Sequence, residues 1–104
     1  MPKTRIVCTI GPASSSEAVL RDLIAAGMNV ARLNFSHGSH DDHADKIATI
    51  RRLSGEMNKP VAILQDLCGP KIRVGRVPDP GIRLEPGQQF VLTSEDVAGD
   101  SGRV

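Results

Sequence analysis

In the stretch NVARLNFSHGSH, residues 29–40, an apolar run gives way to an arginine, an amide, a hydroxyl and an imidazole: Arg32, Asn34, Ser36 and His37. A second cluster, DLCGPKIR at 66–73, carries Asp66, Lys71 and Arg73. A guanidinium grips phosphoryl oxygens through two parallel hydrogen bonds and stays charged at any physiological pH. Amide, hydroxyl, carboxylate and backbone carbonyl oxygens are the donors that hard cations take. Together these groups suit phosphate chemistry beside bound cations. A plainer arrangement uses the same residues: Arg32 and Asp66 as a structural ion pair, Asn34 and Ser36 as caps of a turn. Polar residues at strand ends are common in loops, so residue types alone leave both open.

The elements that must position these groups are legible from periodicity. TRIVCTI at 4–10 is β-branched and apolar, is stopped by Gly11-Pro12, and predicts a buried strand. In the SSSEAVLRDLIAAG that follows, Ser14 and Glu17 have capping-box spacing, Val19, Leu20, Leu23 and Ile24 form an apolar stripe, and Gly27 closes the helix. A strand over 28–34 leads to a second helix, capped by Ser39 with Asp42 near its third position. Ile47, Ile50, Leu53 and Met57 mark its inner side, and Asn58 and Pro60 end it. A third strand, VAILQD, covers 61–66. Strands this apolar on both faces, alternating with helices, predict a parallel sheet with right-handed crossovers. In such a sheet the carboxyl ends of the strands share one rim, where ligands bind.

From about Val74 the texture changes. Pro78, Pro80 and Pro86 enter, Gly75 to Gly81 reads as a linker, and short alternating strands are predicted at 82–84 and 88–93. This predicts a unit of parallel α/β structure over 1–74 and the opening of a small β domain over 75–104. Three strands and two helices complete neither a barrel nor a doubly wound sheet, and would leave strand edges and one sheet face open. The expectation is therefore an N-terminal part of something larger, or a piece that must associate.

Composition narrows the function classes. The chain has 104 residues, 39% hydrophobic and 24% charged, as in ordinary globular domains. Its 13 basic and 12 acidic residues are interspersed, and Phe35 and Phe90 are its only aromatics of the Phe, Tyr and Trp class, so nucleic-acid binding is not expected. Neither a membrane-spanning run nor a signal-peptide core is present, which makes the cytoplasm the default compartment. Cys8 and Cys68 lie in apolar, strand-like surroundings and read as reduced, buried thiols. His37, His40 and His43 are spaced three apart, which raises a zinc site. Helical histidine ligands more often sit four apart, no cysteine is adjacent, and Asp41 and Asp42 are accounted for by the helix dipole.

Three stretches in this order and separation, TRIVCTIGPAS, LIAAGMNVARLNFSHGSHDDH and PVAILQDLCGPKIRVG, resemble pyruvate kinase over residues 4–75. The resemblance implies the first strands of a (β/α)8 TIM barrel, βαβαβ with parallel strands, followed by the start of that family's inserted B domain. It implies phosphoryl transfer from phosphoenolpyruvate to ADP, with Mg²⁺ and often K⁺, in a homo-oligomer that is a tetramer at full length. Position by position, Arg32 matches the catalytic arginine that contacts the substrate phosphoryl group. Asn34, Ser36 and Asp66 match side-chain ligands of the K⁺ site, and Leu67 the position that offers it a backbone carbonyl. Asn34, His37 and Arg73 match residues of the ATP/ADP site.

One departure from the family pattern concerns the cation. Many members read Asp-Thr-Lys-Gly-Pro-Glu-Ile-Arg where this chain reads Asp66-Leu67-Cys68-Gly69-Pro70-Lys71-Ile72-Arg73. In the family, lysine at the Lys71 position, with leucine at that of Leu67, goes with independence from K⁺. A fixed ammonium can supply the charge that the ion otherwise brings. The alternative for the piece itself is a non-catalytic fragment or assembly module. It lacks the family's later lysine, its acidic Mg²⁺ ligands and its proton-donating threonine, so no turnover is expected from these residues alone.

Overall fold

The computed structural model describes residues 3–104, and its packing divides into two units, Met1–Gly69 and Pro70–Val104. The first unit runs β1 (Val7–Thr9), α1 (Glu17–Ala26), β2 (Val30–Asn34), α2 (His40–Glu56) and β3 (Ala62–Asp66). The strands form one parallel sheet in the order β1-β2-β3. The predicted alternation of strand and helix is thus present, with each strand shorter than its apolar run.

Helix α1 begins two residues later than its sequence suggests. Ser16, not Ser14, is the N-cap, its side chain accepting from the Val19 amide. The Ser14 hydroxyl instead accepts from the Gly11 amide at 3.0 Å and closes a turn behind β1, so it cannot also cap the helix. Gly27 ends α1 in the left-handed region, at φ 112°, where a side chain would be strained. Helix α2 carries the predicted capping box: Ser39 Oγ accepts from the Asp42 amide and Asp42 Oδ2 from the Ser39 amide, both at 3.1 Å.

Both helices lie against one face of the sheet. Leu20 and Ile24 of α1, Ile50 and Leu53 of α2, and Ala31 and Leu33 of β2 are fully buried together, with Ile10 and Met28 closing the cluster. Cutting Ile50 back to alanine is expected to destabilise the fold by about 2–5 kcal/mol through lost transfer energy and a residual cavity, read by urea denaturation. The opposite face is open. Val7 and Leu64 are 55% and 44% exposed, the open sheet face expected of three strands and two helices.

The outer surfaces of the helices are joined by charge. Arg52 reaches Glu17 at 2.6 Å and Glu56 at 2.8 Å, and Arg21 reaches Glu56 at 2.9 Å. Hydrogen bonds and charge from Arg52 first, then Arg21, hold the Glu17 and Glu56 carboxyls below their ordinary values. A depressed carboxylate pKa adds stability above its unfolded value, near 4.3, that is lost as pH falls through the native value. Glu17→Gln/Glu56→Gln is therefore expected to lower stability at pH 7 but not at acid pH, once both carboxyls are protonated in the native state, and molar salt should shrink the difference because the network is exposed. Unfolding titrations across pH read both effects.

In the second unit, the strands predicted at 82–84 and 88–93 are absent among the described residues. A single parallel bridge joins Val91 to Arg103, with Val91 N donating to Gly102 O and Val104 N to Val91 O. Alternating residues become a strand only when a neighbour offers a continuous ladder, and here one bridge is made. Val74, Val77, Ile82, Leu84, Phe90 and Val104 gather around a small apolar cavity instead. Among the described residues no helix is long and apolar enough to cross a membrane.

Candidate functional site

Register decides which side chains meet. Parallel pairing sets Thr9 opposite Arg32 and Asn34 opposite Asp66. Successive residues of a strand point to opposite faces, and Ala31 and Leu33 point into the helical core. Thr9, Arg32, Asn34 and Asp66 therefore share the open face, at the carboxyl ends of their strands.

Arg32 is held from two sides. Its Nε donates to Asp66 Oδ2 at 2.9 Å, its Nη2 to the same oxygen, and its Nη1 to Thr9 Oγ1 at 3.1 Å. The ion pair expected as the plainer alternative is thus made. It does not exhaust the arginine: a guanidinium has five N–H donors, and three are engaged here. The side chains of Arg32 and Asp66 remain 32% and 42% exposed, so the pair adds at most about 1 kcal/mol to stability. Its larger consequence is to fix the guanidinium plane at the strand tip.

The turn after β2 is built from its own polar groups. Asn34 Oδ1 accepts from the Ser36 amide at 3.1 Å, and the His37 amide donates to Asn34 O at 3.3 Å. This is an Asx turn, and Gly38 beyond it takes φ 76°. The turn is tied to α2 by His43. The imidazole stacks on Phe35 with centroids 4.1 Å apart and rings 15° from parallel, and its Nε2 lies 2.7 Å from His37 O. A carbonyl only accepts, so Nε2 is the donating nitrogen of this bond. The other ring nitrogen, Nδ1, is buried without a partner.

Between this turn and the β1–α1 connection lies a cleft of about 480 Å³, lined by Pro12, Asn34, His37, His43 and Lys46 among others. Asp42 also borders it, its carboxyl held below the usual range by hydrogen bonds from the Ser39 backbone and then the Ser39 hydroxyl. Among the described residues no group of three His, Cys, Asp or Glu could hold a metal, and His43 is committed to packing and to one hydrogen bond, so the zinc arrangement of the three histidines does not form.

Leu67 is 66% exposed just past β3. Cys8 is half-buried and Cys68 exposed, both as free thiols; the expectation that Cys68 is buried is corrected, because the chain leaves the sheet at Asp66. Lys71 and Arg73 belong to the second unit, where Lys71 is exposed and Arg73 borders a small cavity with Ile72, Val74 and Leu92. The sequence offered no hint of Thr9 as a partner of Arg32, since only the register of β1 and β2 brings them together. His43 was visible only as a possible metal ligand, although its place five residues after Gly38 and one turn into a helix was a signal that it could fold back on the turn.

A family model described as pyruvate kinase, barrel domain, matches residues 1–103. The curated pyruvate kinases of Staphylococcus aureus strains USA300 and COL are each 54% identical to the chain over 99 residues, 95% of this chain and 17% of theirs. A crystal structure of Cryptosporidium parvum pyruvate kinase superposes with a TM-score of 0.87 at 39% identity, covering 97% of this chain and 21% of that one. The chain spans about 17% of the length of the curated relatives it matches.

Proposed function

The chain belongs to the pyruvate kinase family, and from that premise we propose that it supplies the phosphoryl-binding rim of an enzyme that transfers the phosphoryl group of phosphoenolpyruvate to ADP. In that reaction the ester bond between the enol oxygen and phosphorus breaks, a bond from a terminal ADP oxygen to phosphorus forms, and the released enolate takes a proton to become pyruvate. Residues 1–74 are assigned to the start of the TIM barrel and 75–104 to the start of the inserted B domain. The enzyme is assigned to the cytoplasm, as a homo-oligomer.

The observation that carries the proposal is the immobilised Arg32. Charge shifts over the phosphoryl oxygens as the group transfers, and the protein's share of catalysis is mostly positioning and neutralisation. A guanidinium clamped between Asp66 and Thr9 meets that charge without reorganising, which is what makes a fixed donor effective. Asn34 and His37 follow it within one turn and are assigned to the nucleotide side of the rim; Arg73, in the second unit, is assigned a nucleotide contact of its own.

For a monovalent cation, the Asn34 amide oxygen, the Ser36 hydroxyl, the Asp66 carboxylate and the Leu67 carbonyl are suitable hard-oxygen donors, and Asn34 and Asp66 are register neighbours. They fit K⁺, which when bound would add positive charge beside the phosphates. Lys71 is assigned to replace that charge, leaving the donors as turn and ion-pair formers. Mg²⁺ is assigned to the reaction as in the family, but the described residues offer it no cluster of acids, and no step is derived through it.

The test is a coupled assay of pyruvate formation on the 104-residue chain and on the longest protein encoded with it. Turnover is expected only from the latter, since the open face with Val7 and Leu64 exposed leaves the chain without the rest of a barrel. No pyruvate from either would remove the assignment.

A further inference from the structure

We infer that His43 is a positioning residue: its imidazole clamps the turn that presents Asn34, Ser36 and His37, and thereby sets the affinity of the rim for the nucleotide. The inference rests on the phosphoryl-transfer assignment above and adds to it a residue that touches neither substrate.

The starting point is a polar group that packing alone does not explain. His43 is 4% exposed in the second turn of α2, and its Nδ1 has no hydrogen-bond partner. A buried, unpaired ring nitrogen is unfavourable, and a natural structure keeps one where the rest of the group does something an apolar side chain cannot. Here that is the hydrogen bond from Nε2 to His37 O at 2.7 Å. Phenylalanine could reproduce the stack on Phe35, yet it could not donate to that carbonyl.

The bond closes a loop of chain onto its own helix. Ser39 caps α2, Gly38 takes a left-handed conformation, and a Cβ at Gly38 would come within 3.4 Å of His43 Nε2. The imidazole therefore sits directly under the turn it holds. Phe35 is pinned on its other side, its amide donating to Asp66 O at 2.9 Å. Between Phe35 and His37 the backbone has two external anchors, one to β3 and one to His43. Arg32 lies upstream on β2, and its bonds to Asp66 and Thr9 do not pass through His43. Loss of the clamp should accordingly disturb the nucleotide side of the rim and spare the arginine.

The experiment compares the longest protein encoded with this chain to its His43→Phe and His43→Gln variants. His43→Phe keeps a ring against Phe35 without a donor; His43→Gln keeps a donor of similar reach. The expected result for His43→Phe is a KM for ADP raised roughly five- to tenfold, the range for one lost hydrogen bond, with the KM for phosphoenolpyruvate changed less than about twofold and partial recovery in His43→Gln. A His43→Phe enzyme identical to the parent, or one raising both KM values alike, would overturn the inference, as would His43→Gln no better than His43→Phe. Amide hydrogen exchange at His37, whose proton is bonded within the turn, separates this from the fate of the enzymatic assignment. It should quicken roughly five- to tenfold in His43→Phe and slow again in His43→Gln even in a protein that forms no pyruvate. Unchanged exchange rejects the clamp whatever the activity.

Discussion

Replacing Arg32 with alanine in the longest protein encoded with this chain is expected to lower kcat/KM for phosphoenolpyruvate by roughly a hundred- to several-thousand-fold. A fixed charge contact made in the transition state is worth about 3–5 kcal/mol. The competing explanation is structural, because the same side chain is ion-paired to Asp66. Magnitudes separate the two. With the partners 32% and 42% exposed, the pair is worth at most about 1 kcal/mol, and its loss could not account for a thousandfold change. Asp66→Asn separates the two: it loosens the clamp while keeping the guanidinium, and should cost activity less than Arg32→Ala. Arg32→Lys should recover little, since an ammonium cannot present two N–H groups in one plane. Steady-state kinetics on the three variants, with folding checked by circular dichroism, decides the matter. Equal losses in Arg32→Ala and Asp66→Asn would reduce Arg32 to a structural partner.

The second large effect concerns potassium. On the proposal that the Lys71 ammonium supplies the charge, the unsubstituted protein is expected to be fully active in buffer free of sodium and potassium, with added KCl changing its rate less than about twofold. Lys71→Glu should lower the rate roughly a hundredfold in that buffer, the loss typical of one missing electrostatic stabiliser, and KCl should restore much of it through the oxygens of Asn34, Ser36 and Asp66. Strong activation of the parent by KCl would show that Lys71 is only a solvated lysine and that the oxygen cage is in use. Rates measured against KCl concentration for both proteins, with choline chloride matching ionic strength, give the answer.

The alternation of strand and helix, the ends of the helices and the polar character of the strand tips were all open to a reader of the residues, because each rests on neighbours close in the chain. Ser39 with Asp42, Gly27, and the stripe of Leu20 and Ile24 specify their elements through contacts within a few residues. The same locality misled at Ser14, the first of three serines that precede Glu17. Only the turn at Gly11 decides which hydroxyl is left for the helix. It misled again at 82–84 and 88–93, where alternation suggested strands but a ladder requires a partner.

What the tertiary structure alone decided is who meets whom at the rim. Arg32 and Asp66 are 34 residues apart, and both an ion pair and a ligand site were compatible with their types. The parallel register that sets Asn34 beside Asp66 and Thr9 beside Arg32 makes the pair, and leaves the guanidinium fixed rather than spent. His43 is a local case by contrast: its bond to His37 O spans six residues, and what the residues alone left open was that the imidazole turns back to that carbonyl. Chain-local patterns carry secondary structure because their energies are local. A site is assembled from residues distant in sequence, and its geometry is set by the packing of the elements that carry them.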